Sequence, residues 1–407
     1  MHCVQEISPN IWWVGGNDRR LERFENMFPL PNGVAYNSYL ILDEKTALLD
    51  TVDSAINALY LENVTQVLNG RTLDYLIVNH MEPDHCASIE ELVRRFPNLK
   101  IVGNSKTFRL LGQFYNCVDQ ANFYEVKEGD RLSLGAHTVG FYFAPMVHWP
   151  EVMMTYESSA KILFSADAFG SFGALSGNLF SDQTDFEMVY LDEARRYYTN
   201  IVGKYGQQVQ AALKKLSGTE IRMICPLHGP IWRENLAYFL EKYDRWSKYL
   251  PEKKGVVLAY ASMYGNTENA MNRLANKLAQ KGVADLRIYD VSKTHPSYII
   301  AEAWKYSHLV LGAPTYNMGL YYNMESLLRD MAGLWLQNRQ VALVGNYSWA
   351  PGAVIKVMRG LLEEMKNMTI VGTPLEIVST MKETQEAALD QLVADIYASL
   401  QATELES

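Results

Sequence analysis

His80, Glu82, Asp84 and His85 put four side chains able to ligate a metal within the six residues His80-Met81-Glu82-Pro83-Asp84-His85. A fold needs no such density for stability. The apolar run Leu73–Val78 before them reads as a buried β-strand, and a strand that ends abruptly in a loop aims side chains at one point and holds that loop in a preset geometry. The stretch is therefore half of a metal site, and the chain supplies the other half in His148, Asp167 and His228. Each of these follows an apolar or β-prone run, Val139–Val147, Ile162–Ala166 and Ile221–Leu227, as expected of strand ends converging on one sheet edge. A lone histidine at a strand end is commonly a hydrogen-bonded structural residue, but seven ligand-type residues in this pattern are not explained that way. Three carboxylates (Glu82, Asp84, Asp167) mixed with imidazoles and no thiolate suit iron or manganese at least as well as zinc. Asp167, alone between two clusters, is the natural bridging carboxylate for a pair of metals.

A second set of residues has the chemistry of a phosphate-bearing ring. Ser262-Met263-Tyr264-Gly265-Asn266-Thr267 lies between an apolar strand, Val256–Tyr260, and a helix that shows Met271, Leu274, Ala275 and Leu278 on one face. Backbone amides and hydroxyls there would surround a phosphate at a helix N-terminus. The loop has neither the lysine of a nucleotide-triphosphate loop nor the spaced glycines of a dinucleotide fingerprint, so a monophosphate is the better guest. Two later turns, Pro314-Thr315-Tyr316-Asn317-Met318-Gly319 and Asn346-Tyr347-Ser348-Trp349-Ala350-Pro351-Gly352-Ala353, follow further strands at the same carboxyl edge, where open α/β sheets bind ligands. They supply what a flavin ring needs, with Tyr316 and Trp349 as candidates to stack on it. One such loop alone would read as an ordinary capped helix; three matching loops do not.

These residues must be carried by two kinds of architecture. In the N-terminal part, Ile11–Gly15, Asn37–Leu42 and Thr46–Asp50 read as strands, with Asp43-Glu44-Lys45 as a tight connection. Arg19–Pro31, polar, aromatic and broken by prolines, suits a long surface loop near a site. Ser54–Leu68 reads as an amphipathic helix, strands follow between about 123 and 164, and residues 185 to 216 read as a long helical stretch. Two sheets flanked by helices account for this order better than a parallel βα repeat. Trp232–Leu250 reads as a helix and Pro251-Glu252-Lys253-Lys254-Gly255 as a linker. After it the chain alternates strand and helix: strands Val256–Tyr260, Leu286–Val291, Leu309–Ala313, Gln340–Gly345 and Leu375–Val378, each followed by a helix, the signature of a doubly wound parallel sheet. The expected domains are 1–250 and 255–402.

Composition narrows the function classes. The chain has 407 residues, 48% hydrophobic and 20% charged, enough for two cores in an ordinary globular protein. No apolar stretch reaches the length of about 18 residues that a membrane span requires, and Met1-His2-Cys3-Val4-Gln5-Glu6 lacks the features of a secretory signal, so a cytoplasmic protein is expected. Cys3, Cys86, Cys117 and Cys225 form no Cys-x-x-Cys pair, which excludes a rubredoxin-like iron centre or thioredoxin-like motif within this chain. A net charge of −9 argues against nucleic acid as a partner.

The ligand pattern His80-x-Glu82-x-Asp84-His85 with His148, Asp167 and His228 resembles that of the flavodiiron proteins. The neighbours Val147-His148-Trp149-Pro150, Asp167-Ala168-Phe169-Gly170 and Leu227-His228-Gly229-Pro230 agree, and both halves of the chain match. The resemblance implies an N-terminal metallo-β-lactamase-like αββα sandwich and a C-terminal flavodoxin-like domain holding FMN. Hydrolases of the first fold usually have histidine where this chain has Glu82; a harder anionic ligand there favours iron over zinc. The resemblance implies one iron held by His80, Glu82 and His148, the other by Asp84 and His228, with Asp167 bridging and His85 a further ligand. It implies reduction of dioxygen to water, of nitric oxide to nitrous oxide, or both, with the aromatic-rich N-terminal loop and Trp149 as walls of the substrate pocket.

It further implies a head-to-tail homodimer or a dimer of dimers, in which one subunit's FMN meets the other's irons. An end at Ser407 leaves no room for an appended rubredoxin or flavin-reductase domain, so an external donor such as rubredoxin or a reduced deazaflavin is expected. The competing readings are a zinc hydrolase of the metallo-β-lactamase fold with an appended flavodoxin domain, and an electron carrier with a structural metal. Glu82 and the flavin loops weigh against the first, and the complete ligand set against the second.

Overall fold

In a computed structural model, residues 2–116 and 122–405 are described; Cys117 lies outside them. The chain divides into two compact units, one of residues 1–198 and 207–244, the other of residues 199–206 and 245–407. The segments Thr199–Gly206 and Arg245–Leu250 thus group with the second unit, although both precede the expected linker.

The first unit is built on two sheets. One runs in the order Gln5–Ser8, Ile11–Trp13, Tyr39–Leu42, Thr46–Leu49, Tyr75–Ile77, Lys100–Gly103, Phe123–Glu125. Its first four strands are antiparallel, and pairing turns parallel from Thr46–Leu49 onward. The other sheet runs Arg131–Ser133, Thr138–Phe143, Met153–Glu157, Ile162–Phe164, Met223–Cys225. Thr46–Leu49 and Ile162–Phe164 are buried along their whole length, which is why they read as short apolar runs, whereas Thr138–Phe143 buries only alternate residues.

Three expectations for this unit are corrected. Arg19–Pro31 is largely exposed and lies beside the site, but it is not irregular throughout: Arg23–Phe24 pairs antiparallel with Phe28–Pro29, and Phe24, Phe28 and Leu30 are buried. Its apolar residues belong to a two-stranded turn too short to show a period. The long helical stretch is broken into Phe186–Val189, Leu191–Tyr197, a wider π-type turn at Tyr198–Val202, and Gly206–Leu216. The helix expected over Trp232–Leu250 is confined to Leu236–Ser247, because Trp232 exchanges backbone hydrogen bonds with Ile224 instead.

The second unit is a parallel sheet in the order Leu286–Asp290, Lys253–Tyr260, Tyr306–Tyr316, Arg339–Tyr347, with Met368–Ile370 and Leu375–Val378 both paired to Arg339–Tyr347. This is the flavodoxin-like strand order, with Met368–Ile370 as a piece that the sequence reading does not anticipate. The strand Lys253–Tyr260 begins inside the expected linker, so Lys253–Gly255 is sheet rather than connection. Helix Asn266–Gln280 buries Ala270, Met271, Leu274 and Leu278, residues three and four apart, against the sheet. Its approach is close at Gly312, where a Cβ would lie 2.5 Å from Met271 Sδ. Among the described residues no helix is long and apolar enough to cross a membrane.

Candidate metal centre and flavin cleft

The site in the first unit is assembled from the ends of strands. After Tyr75–Ile77 the chain turns on Asp50: its Oδ1 accepts from the backbone N–H groups of Asn79 (2.7 Å) and His80 (3.1 Å), its Oδ2 from Asn79 Nδ2 (2.7 Å). Glu82 is extended and precedes a helical turn, Pro83–Cys86, in which Pro83 takes the first position, where its missing N–H costs nothing. Asp84 and His85 are therefore on a helical turn rather than in an extended loop. His148 follows Thr138–Phe143, Asp167 follows Ile162–Phe164 and His228 follows Met223–Cys225.

All seven side chains meet in the folded protein, in two groups. His80, Glu82, His148 and Asp167 form one; Asp84, His85 and His228 form the other. His148 Nε2 lies 3.0 Å from Glu82 Oε2 and 3.1 Å from Asp167 Oδ2, and His80 Nε2 lies 3.2 Å from Glu82 Oε2. On the other side, His85 Nε2 lies 3.0 Å from His228 Nε2 and 3.1 Å from Asp167 Oδ1, while Asp84 Oδ2 is 3.4 Å from both imidazoles. Asp167 turns one oxygen to each group.

The donor set fits a pair of cations. Both oxygens of Asp84, Oδ1 of Asp167 and Nδ1 of His85 are buried with no hydrogen-bond partner. Leaving such atoms unpaired is costly unless a cation meets them. His85 and His228 face each other through nitrogens that a shared ion would separate and satisfy. Electrostatics agree: burial alone would push the Asp167 carboxyl up and the His148 imidazole down. Instead the imidazoles of His85, His80 and His148 hold Asp167 well below the usual carboxylate range, and Asp167 and Glu82 raise His148 to about 9. Glu82 and Asp167 and the imidazoles of His80, His85 and His148 stabilise each other's charged forms in this buried site, and each proton held there is one that a metal would displace.

Residues around the ligands were not visible as site residues in the sequence. Glu151 Oε1 accepts from His80 Nδ1 and from the Met81 N–H, both at 2.8 Å, which fixes the tautomer so that His80 Nε2 is free toward the centre. Burial opposes ionisation of Glu151, but the His80 hydrogen bond and charge hold its carboxyl below the ordinary value. His228 Nδ1 donates to Ala35 O at 2.8 Å, again leaving Nε2 inward. Asn37 pins the His228 loop by donating from Nδ2 to Pro226 O and Gly229 O, both at 2.9 Å. Nothing in the spacing of Glu151, Asp50 or Asn37 marks them; only proximity does.

Aromatic rings flank the centre. Phe24, Tyr36 and Tyr197 have ring centroids 5.2, 5.6 and 5.5 Å from His228, and Trp149 packs edge-on at 5.5 Å from His80. The Tyr197 hydroxyl is buried without a hydrogen-bond partner, and burial with the nearby carboxylates raises its pKa well above the ordinary value. A cleft of about 300 Å³ opens onto the centre between the Arg23–Asn26 turn and Glu82, Pro83 and Asp84. Burial and the neighbouring Glu82 push the Glu25 carboxyl at this opening up to about 8.

In the second unit a cleft of about 200 Å³ lies at the carboxyl ends of the strands. It is lined by Ser262, Met263, Tyr264, Asn266 and Thr267, by Pro314 and Thr315, and by Asn346, Tyr347, Ser348 and Trp349. All three loops singled out in the sequence contribute. Gly265, Tyr316, Asn317, Gly319, Gly352 and Ala353 sit on the same loops but do not line the cleft. Tyr316 packs its ring 5.2 Å from Tyr322, whose hydroxyl accepts from Asn317 Nδ2 at 2.9 Å. Gly265 (φ 85°) and Gly352 (φ 74°) make the left-handed turns that start helices Asn266–Gln280 and Ala353–Glu363. Thr315 Oγ1 is buried without a partner, a free group at the cleft floor. Ser379, not singled out in the sequence, also lines the cleft.

Two convergent layers of evidence define a class: a metallo-β-lactamase-like unit with paired His/carboxylate groups, fused to a flavodoxin-like unit with a cleft at its switch edge. Residues 34–229 match the ODP family beta lactamase and residues 258–391 match flavodoxin. The nitric oxide reductase of Moorella thermoacetica is 33% identical over 350 residues, covering 85% of this chain and 86% of that protein. The solved rubredoxin oxygen:oxidoreductase of Desulfovibrio gigas superposes with a TM-score of 0.92 at 30% identity, over 98% of this chain and 99% of that one. The flavodiiron protein of Giardia intestinalis superposes with a TM-score of 0.86 at 25% identity, over 98% of both chains. The chain belongs to the flavodiiron family and is an oxidoreductase.

Proposed function

We propose that this protein reduces dioxygen to water, nitric oxide to nitrous oxide, or both, at a non-haem diiron site supplied with electrons through FMN. One observation carries the reading: Asp167 turns Oδ2 to His80 and His148 in one group and Oδ1 to His85 and His228 in the other, the arrangement a carboxylate needs to bridge two ions. Within it, His80, Glu82 and His148 hold one iron, Asp84 and His228 the other, with His85 completing the second group. Bound there, the irons supply the electrons and the polarising charge for reduction of a small diatomic gas. Glu151 and the Ala35 carbonyl orient the imidazoles, and the rings of Phe24, Tyr36, Tyr197 and Trp149 limit access of water and of larger substrates. Glu82 in place of a histidine and the flavin cleft favour this reading over a zinc hydrolase.

In the second unit, the Ser262–Thr267 loop receives the FMN phosphate at the start of helix Asn266–Gln280, and the Pro314–Gly319 and Asn346–Ala353 loops receive the ring. Of the two aromatic candidates, Trp349 lines the cleft. We further propose a head-to-tail homodimer or dimer of dimers, a cytoplasmic setting, and an external donor such as rubredoxin or a reduced deazaflavin. The testing experiment is iron and flavin analysis of the purified protein, then anaerobic mixing of its reduced form with each gas. Two irons and one FMN per chain with rapid reoxidation by either gas are expected; zinc with turnover of neither gas would refute the reading.

A further inference from the structure

We propose that Ser379 is a positioning residue of the flavin cleft, contributing a fourth loop that the three-loop description omits. It rests on the reading that FMN occupies that cleft. Ser379 stands just after strand Leu375–Val378 and lines the cleft beside Ser348. Its backbone is left-handed (φ 63°), a conformation disfavoured for a residue with a Cβ and kept only where surroundings enforce it. Three hydrogen bonds do so. The Ser379 N–H donates to Tyr347 O at 2.8 Å, Asn346 Nδ2 donates to Ser379 O at 3.2 Å, and the Ser348 and Ser379 hydroxyls pair at 2.9 Å.

All three partners are consecutive residues of the Asn346–Ala353 loop, and all three line the cleft. The second Asn346 amide hydrogen reaches Thr267 Oγ1 at 3.2 Å, at the start of helix Asn266–Gln280. Asn346 thus ties the Ser379 turn to the phosphate-side loop, and Ser379 holds both Asn346 and Ser348 from the outer side. Without that hold, Tyr347, Ser348 and Trp349 would have to be ordered by the ligand itself, at a cost to affinity. The Ser348 and Ser379 hydroxyls are exposed, where water competes with their bond, and a ligand that covered them would strengthen it.

The test is fluorescence titration of deflavinated full-length protein with FMN, for wild type, Ser379→Ala, Ser348→Ala, the double variant and Ser379→Gly. Ser379→Ala is expected to weaken binding about fivefold, the worth of one neutral hydrogen bond. It should also shift the bound flavin's visible absorption band toward that of free FMN, without lowering the denaturation midpoint of the flavin-free protein. The double variant should be no weaker than Ser348→Ala alone, because the pair is lost once. Ser379→Gly relieves the left-handed backbone while still lacking the hydroxyl, and should show the same loss. Wild-type affinity in Ser379→Ala and Ser379→Gly would overturn the inference and leave the flavin reading standing. Failure of wild-type protein to bind FMN at all would overturn both.

Discussion

Replacing Glu151 by glutamine tests the claim that the centre is set from outside its ligands. Glu151 is buried and is not among the seven ligand-type side chains; it acts through His80 Nδ1 and the Met81 N–H, each 2.8 Å from its Oε1. Glutamine retains an acceptor oxygen but not the charge. Charge-assisted hydrogen bonds are roughly twice as strong as neutral ones, whose net worth is about 1 kcal/mol, so two of them made neutral forfeit about 2 kcal/mol. That corresponds to about 30-fold in iron affinity, at 1.36 kcal/mol per decade. Alanine should cost more, because it leaves the His80 and Met81 donors buried and unpaired. The assay is competitive iron binding against a chelator of known affinity, with circular dichroism to confirm folding. A folded Glu151→Ala variant with iron affinity within twofold of wild type would refute the reasoning, since His80 would then need no outer partner.

Asp167→Asn, which keeps shape but removes the shared anion, should reduce iron content below two per chain by more than the 10- to 100-fold affinity loss typical of an outer partner, measured by metal analysis after dialysis. Phe24→Ala removes a buried ring that packs 5.4 Å from Phe172 and 5.2 Å from His228, and should destabilise the protein by about 3 kcal/mol in urea unfolding while opening the centre to solvent. His308, in the second unit, is pushed down from 6.5 to about 4, first by burial and then by the Lys254 charge. A histidine harder to protonate folded than unfolded contributes stability above pH 6.5 that is lost as pH falls toward 4, with a slope of up to about 1.4 kcal/mol per pH unit. His308→Gln should flatten that part of the urea-stability profile between pH 7 and pH 4; an unchanged slope would show that other groups carry it.

The sequence alone determined the identity and partition of the chemistry. His80, Glu82, Asp84 and His85 crowd one strand end, and His148, Asp167 and His228 each follow an apolar or β-prone run; where burial on both faces makes the run continuous, as at Ile162–Phe164, its stop at a ligand-type residue is legible without coordinates. The alternation after residue 255 was legible for the same reason, because helix Asn266–Gln280 repeats its apolar residues at the spacing that a sheet-packed helix requires. What the sequence did not carry was everything decided by through-space proximity. Glu151 lies 70 residues from Met81, Asn37 and Asp50 stand at the ends of expected strands, and no pattern singles out Ser379; each acquires its role only when distant strands bring it within hydrogen-bond reach. The Arg23–Pro29 hairpin failed in the sequence reading because two-residue strands have no period, and its two buried residues, Phe24 and Phe28, are covered through space, by Phe172 and, for Phe24, also by His228, rather than by any local pattern. Ligand type is a property of a residue and its immediate neighbours along the chain, whereas orientation, tautomer and closure are properties of contacts, and contacts exist only in the folded molecule.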